Sequence, residues 1–193
     1  MSLTLVSPPD QRVLEPGEAL EHLRELDTTQ AGYVTGLIAA AEAWVEQYCR
    51  RALLTQTWQL VRDTWPACEG FLRLPRAPLQ SVTSVKYVAL DGTLTTWGSS
   101  NYTVDTASTP GRVHAGYLVS WPTLRSVPNA VEVTYVAGYG DEGRDVPEPI
   151  RHALKLLVGH WYNLREPVIT GTIVTKVPLS VESLLGPYRV LEF

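Results

Sequence analysis

Apolar residues follow two different periods along this chain, and the change of period divides it. Val34, Leu37, Ile38, Ala41, Trp44, Val45 and Tyr48 recur every three or four positions, which places one apolar stripe along a helix. The Ile38-Ala-Ala-Ala-Glu-Ala run inside it has high helix propensity, and Asp27-Thr28-Thr29 supplies a cap at its start. A shorter helix is predicted from Pro16, with Glu15 and Glu18 complementing its dipole and Ala19, Leu20, Leu23 and Leu26 at helical spacing. A second long helix enters at Asp145-Val-Pro-Glu148, read as a capping box with Asp145 as N-cap. Its stripe is Ile150, Ala153, Leu154, Leu157, Val158 and Trp161, and it stops at Glu166-Pro167. The two long stripes should pack on each other.

Beyond Leu54 the period becomes two. Thr55–Trp65, Ser84–Leu90, Thr93–Trp97, Tyr102–Asp105, Gly111–His114 and Ala130–Val136 read as strands. Asp91-Gly92 marks a two-residue hairpin. Proline and glycine clusters such as Leu74-Pro-Arg-Ala-Pro78 and Thr109-Pro-Gly111 separate the strands. The expected class is therefore α+β, a helical core of two long packed helices plus short ones. Residues 1–54 and 141–193 make that discontinuous helical domain, and 55–140 form an inserted, small, antiparallel β-rich subdomain.

From 166 to 193 the chain is predicted to run as an extended tail, greasy, β-branched and almost free of charge, with a helix at Val181–Leu185 for docking; the alternative is that the tail folds back on its own core. Such a surface suits cover by another subunit or a partner. Its candidate interface residues are Val168, Ile169, Ile173, Val174, Val177, Leu184, Leu185, Tyr188, Val190, Leu191 and Phe193.

Charge sharpens this picture. The net charge of −4 over 193 residues argues against a dedicated nucleic-acid binder, which needs clustered Lys and Arg. Residues 1–50 hold eight acids against three arginines, so the whole acid excess lies there. Two cysteines, Cys49 and Cys68, are too few for a disulfide framework. No stretch has the layout of a signal peptide and no apolar run reaches a membrane span, so a soluble protein made in a reducing cytoplasm is expected.

Candidate chemistry is sparse. His152 and His160 stand two helical turns apart, too far to share a metal in the i, i+4 manner. Gly138–Asp145 superficially resembles a phosphate loop but lacks a Gly-Lys-Ser/Thr ending. Its acids Asp141, Glu142 and Asp145 lack the spacing of a calcium loop. The expectation is no catalytic residue, no metal and no cofactor. Trp97 and Trp121 stand beside loops of the β block, where aromatics anchor protein contacts. An alternative is a carbohydrate-binding or adhesin-like particle module using the β block through those two tryptophans.

The succession of motifs resembles the head–tail connector (adaptor) proteins of tailed bacteriophages and phage-like gene transfer agents. It rests on Leu37-Ile-Ala-Ala-Ala-Glu-Ala-Trp-Val-Glu-Gln-Tyr, Arg51-Ala-Leu-Leu-Thr-Gln-Thr-Trp and Leu74-Pro-Arg-Ala-Pro-Leu-Gln-Ser-Val. It continues in Tyr135-Val-Ala-Gly-Tyr-Gly-Asp, Val146-Pro-Glu-Pro-Ile-Arg-His-Ala, Leu157-Val-Gly-His-Trp-Tyr and Leu184-Leu-Gly-Pro-Tyr-Arg. What the resemblance implies is a ring, commonly of twelve copies, in the neck of a virion or phage-like particle. The ring docks beneath the portal protein, presents a platform to the next neck, stopper or tail protein, and lets DNA pass through its channel. No enzymatic activity and no membrane are implied. On that reading Trp97 and Trp121 are tail-side contacts, and Glu18, Glu21, Glu25, Glu42 and Glu46 line the channel as a weakly repelling acidic wall.

Overall fold

A computed structural model of the chain describes residues 1–25, 28–66, 70–164 and 178–191. Among the described residues it is a mixed α+β fold of eight strands and four α-helices. They fall into two compact units, Met1–Pro9 with Thr55–Tyr139 and Asp10–Leu54 with Gly140–Phe193.

The first unit holds β1 (Ser2–Ser7), β2 (Gln56–Arg62), β3 (Phe71–Leu74), β4 (Leu79–Val88), β5 (Leu94–Trp97), β6 (Tyr102–Asp105), β7 (Gly111–Ala115) and β8 (Val131–Ala137). Five of them form an antiparallel sheet in the order β1-β2-β8-β4-β5, and three form a second in the order β3-β7-β6. Alternation builds the core. Trp58 and Leu60 on β2 oppose Tyr135 and Val133 on β8, and all four are buried. Leu72, Leu74 and Val113 supply the buried side of the smaller sheet. Gly111 is required where β7 passes β4, because a Cβ there would collide with the Leu79 side chain. Tyr135 is fully buried, donates its hydroxyl to the Pro75 carbonyl at 2.8 Å, and has its pKa pushed up by burial.

Several strands depart from expectation. The N-terminal run forms β1, an edge strand paired with β2, and so belongs to the β unit. The strand β3 and the first half of β4 were hidden by their surroundings. Proline flanks the former, and β4 carries register shifts at Leu79/Ser81 and Val82/Ser84 that break the period of two. The β4–β5 hairpin is wider than a two-residue turn. Ala89 N–H bonds to the Thr93 carbonyl and Gly92 N–H to the Ala89 carbonyl. With Gly92 at φ +92°, this is a three-residue loop closed by a left-handed glycine.

The second unit is helical: α1 (Pro16–Leu23), α2 (Ala31–Cys49), α3 (Glu148–Asn163) and α4 (Leu179–Leu185). The α2 helix packs on α3, α3 on α4, and α1 on both α2 and α3. Val34, Ile38, Ala41, Val45 and Cys49 face inward from α2; Ile150, Ala153, Leu154, Leu157 and Val158 do so from α3. The stripe on α2 is thus turned slightly from the expected one, with Glu42 inside and Trp44 and Tyr48 half-buried, stacked at 5.0 Å.

Helix starts also differ. Gln30 is the N-cap of α2, after a single 3-10 turn at Thr28–Gln30, and makes no side-chain cap; Asp27 lies outside the described residues. The reciprocal capping box sits one turn earlier than expected, joining Glu142 and Asp145 around Gly143–Asp145. Pro147 is then the N-cap of α3. Four residues earlier than expected, α3 gives way at Asn163 to Leu164, its C-cap.

Candidate functional site

Among the described residues no three of His, Cys, Asp and Glu are gathered to hold a metal ion. The Cys49 thiol is buried and its pKa is pushed up to about 11 by that burial, far from the thiolate a nucleophile needs. The informative features are surfaces.

The C-terminal segment is the first. Residues 178–191 fold back on their own unit, which corrects the expected extended tail over that stretch. The reason is the spacing of Val181 and Leu185, which puts both on the inner side of α4, fully buried. Val190 is buried as well, and its N–H bonds to the Cys49 carbonyl at 3.0 Å. Arg51 Nε donates to the Tyr188 carbonyl at 2.5 Å, and Arg189 stands 5.2 Å above the Tyr48 ring. Leu185 and Val190 therefore serve the chain's own core instead of an open surface. Leu184 and Tyr188 remain half-buried, Leu191 is exposed, and Leu179 is 80% exposed. Val168, Ile169, Ile173, Val174, Val177 and Phe193 lie outside the described residues.

The second surface is aromatic. Trp65 stacks on Trp121 at 4.6 Å, Trp97 lies 5.0 Å from Trp121 and 5.5 Å from Tyr102, and Trp65 Nε1 donates to the Pro122 carbonyl at 2.8 Å. Trp97 is only 7% exposed, so it anchors the cluster and offers no open ring face to a sugar or a partner. Trp121 is half-buried. The cluster fastens the 116–130 loop to the β4–β5 hairpin, helped by Arg125 N–H on the Val88 carbonyl. At the loop's start, in the turn closed by Val119 N–H on the Gly116 carbonyl, Tyr117 and Leu118 are 92% and 90% exposed, and Leu118 holds a left-handed φ of +60°. Leu90 and Leu94 are exposed beside the hairpin turn. Sequence reading missed this pair of displayed apolar residues. The available signal was Gly116-Tyr-Leu, two large apolar side chains directly after a glycine in a turn-rich stretch.

The acids behave differently from an open acidic wall. Glu42 is 8% exposed, accepts Val13 N–H at 2.6 Å and pairs with Arg12 at 3.0 Å. It faces inward because it shares the α2 stripe with Ile38 and Val45. Glu46 accepts Leu53 N–H. Glu18 binds both Arg151 and Lys155, at 2.8 and 2.7 Å. Partial burial raises its pKa, but the Lys155 hydrogen bond and the two cations outweigh that and leave it below the ordinary value. Glu25 accepts the Tyr162 hydroxyl. Glu21 is exposed.

Comparison with known proteins completes the picture. A family model described as head completion protein matches residues 19–191. No curated protein matches the chain. Among solved structures, a chain in the neck of an empty gene transfer agent particle computed with C6 symmetry is 24% identical at a TM-score of 0.81. One in the virion of a native gene transfer agent particle is 22% identical at 0.82. Another, in the neck of a native particle computed with C12 symmetry, is 24% identical at 0.75. Each match covers 100% of this chain and 97% of the other, and together they show a shared fold.

Proposed function

The chain belongs to the head completion protein family, and from that membership we propose that it is a structural connector of a phage or phage-like particle. Copies assemble into a ring in the particle neck, beneath the portal, and join the DNA-filled head to the next neck or tail component. The family match over residues 19–191 carries this reading. Twelve copies is the number favoured, because similar chains occur in necks described with sixfold and twelvefold symmetry.

In this reading the fold is a scaffold for contacts. Leu179, Leu184, Tyr188 and Leu191, together with the apolar residues of 168–177, meet the portal or the neighbouring copy. Tyr117 and Leu118, both exposed, meet the tail-side component, since exposed aromatic and aliphatic anchors are what protein interfaces bury. DNA passes through the ring without specific binding, in keeping with the net charge of −4. Glu21 fits a channel position; Glu18, Glu25, Glu42 and Glu46 serve mainly to hold the fold.

The test is genetic and visual. Particle-producing cells lacking this chain should yield filled heads with portals and no attached tails, and supplying the chain should restore tails. Normal tailed particles in its absence would defeat the proposal.

A further inference from the structure

The β4–β5 turn sets an aspartate directly before a glycine at the exposed end of the hairpin. Asp91 and Gly92 are both exposed, and Gly92 holds its left-handed φ of +92°. The turn needs both residues. A Cβ at position 92 would collide with Nη1 of Arg125, so glycine is required by space as well as by φ. Asp91 Oδ1 accepts Thr93 N–H at 2.9 Å and the Thr93 hydroxyl at 2.7 Å, which fastens the turn through its own side chain.

That dipeptide carries a reaction of its own. With no side chain on glycine to obstruct it, a glycine nitrogen can reach the carboxyl carbon of the aspartate before it. The Gly92 nitrogen bonds to Asp91 Cγ, the bond from Cγ to the carboxyl hydroxyl breaks, and one water leaves with that hydroxyl and the amide proton. Water then adds back to the five-membered ring. Opening at one carbonyl restores aspartate; opening at the other gives isoaspartate, whose main chain runs through Cγ and is one carbon longer. Nothing is oxidised or reduced.

Two conditions must hold. The carboxyl must be protonated, because an ionised carboxylate has no hydroxyl to lose, and the nitrogen must turn toward Cγ. The closed hairpin opposes both. The Thr93 N–H and hydroxyl, and after them the Arg125 cation that faces the turn, hold the Asp91 carboxyl below its ordinary value. Gly92 N–H already donates to the Ala89 carbonyl at 2.9 Å, and Ala89 N–H on the Thr93 carbonyl closes the loop behind it.

We propose that Asp91-Gly92 is a site of isoaspartate formation whose rate is set by Thr93, suppressed while the hairpin is closed and released when it opens. The proposal stands apart from the ring reading and survives or fails without it.

Ageing the purified chain at 37 °C and pH 6 tests it. Isoaspartate is read in the tryptic peptide 87–112 by isoaspartyl methyltransferase labelling and mass spectrometry. The folded chain should convert at least about tenfold more slowly than the same chain in urea, since opening of the turn gates the reaction. Thr93→Val removes the hydroxyl bond and keeps the N–H bond; it should speed conversion at least about threefold in the folded chain. Thr93→Ser keeps a hydroxyl and should stay near the wild-type rate. Circular dichroism melting shows that each variant is folded, and any variant that is not is replaced in the comparison by Thr93→Ala. Conversion in the Val variant should be faster at pH 5 than at pH 8, the sign a neutral carboxyl requires. Asp91→Glu, whose extra methylene disfavours the ring, should lose the label, which separates this site from Asp105 in the same peptide. Equal rates in folded and unfolded chain, a wild-type rate in the folded Val variant, faster conversion at pH 8, or a label that survives Asp91→Glu would each overturn the proposal.

Discussion

A buried carboxylate is tolerable only when its oxygens are occupied, and at Glu42 Val13 N–H takes one and Arg12 the other. Burial still outweighs those bonds and holds the Glu42 pKa above its ordinary 4.5. A raised carboxyl pKa means the folded chain keeps this proton while the unfolded chain has lost it. Stability from this group therefore falls as pH rises from 4.5 through the folded value. Glu42→Gln should flatten that decline in thermal melts across the acid range. Glu42→Ala strands Val13 N–H and should cost about 1–3 kcal/mol in denaturant unfolding; an unchanged midpoint would show the bond to be idle. Leu118 is the second informative residue. Its left-handed backbone costs a branched side chain roughly 1–2 kcal/mol, part of which glycine regains. Leu118→Gly should leave the melting temperature equal or higher while weakening assembly, which separates display from folding. Neither residue was legible in sequence. Glu42 looked like one more solvated helix acid, because a shift of one helical position decides whether a side chain faces in or out.

At the scale of elements, the terminal helix and the aromatic cluster make opposite predictions. Truncation before Pro178 removes the fully buried Val181 and Leu185 and the buried Val190, so it should lower the melting temperature and the helical signal together. Replacing Leu179 and Leu191 by serine should spare the melt and reduce docking to portal-bearing heads. A truncation that melts like the whole chain would contradict the packing. For the cluster, Trp65→Ala should cost about 3 kcal/mol and loosen the 116–130 loop, read as lost near-ultraviolet dichroism. The sequence revealed both long helices through their stripes and most strands through alternation. It hid β1 behind prolines, and the first half of β4 behind two bulges that reverse which side chains face in. The helix at Val181–Leu185 was legible from its spacing of four, but the greasy composition around it favoured an outward-facing role over the core it joins.

The whole molecule is two compact units that the chain enters more than once, with an edge strand from the N-terminus completing a sheet built from residues 55–139. Short motifs in a fixed order located the family before any single site could, because connector chemistry is a matter of shape and charge. Assembly through weak, repeated contacts gains strength from ring closure, so isolated protein can be monomeric and still close a ring on a head. The most direct test of the account is a reconstruction of the particle neck without imposed symmetry. It should show copies of this chain in a closed ring beneath the portal, with the 116–130 loop facing the tail-side component. A neck lacking this chain, or holding it as isolated copies without mutual contact, would contradict the account.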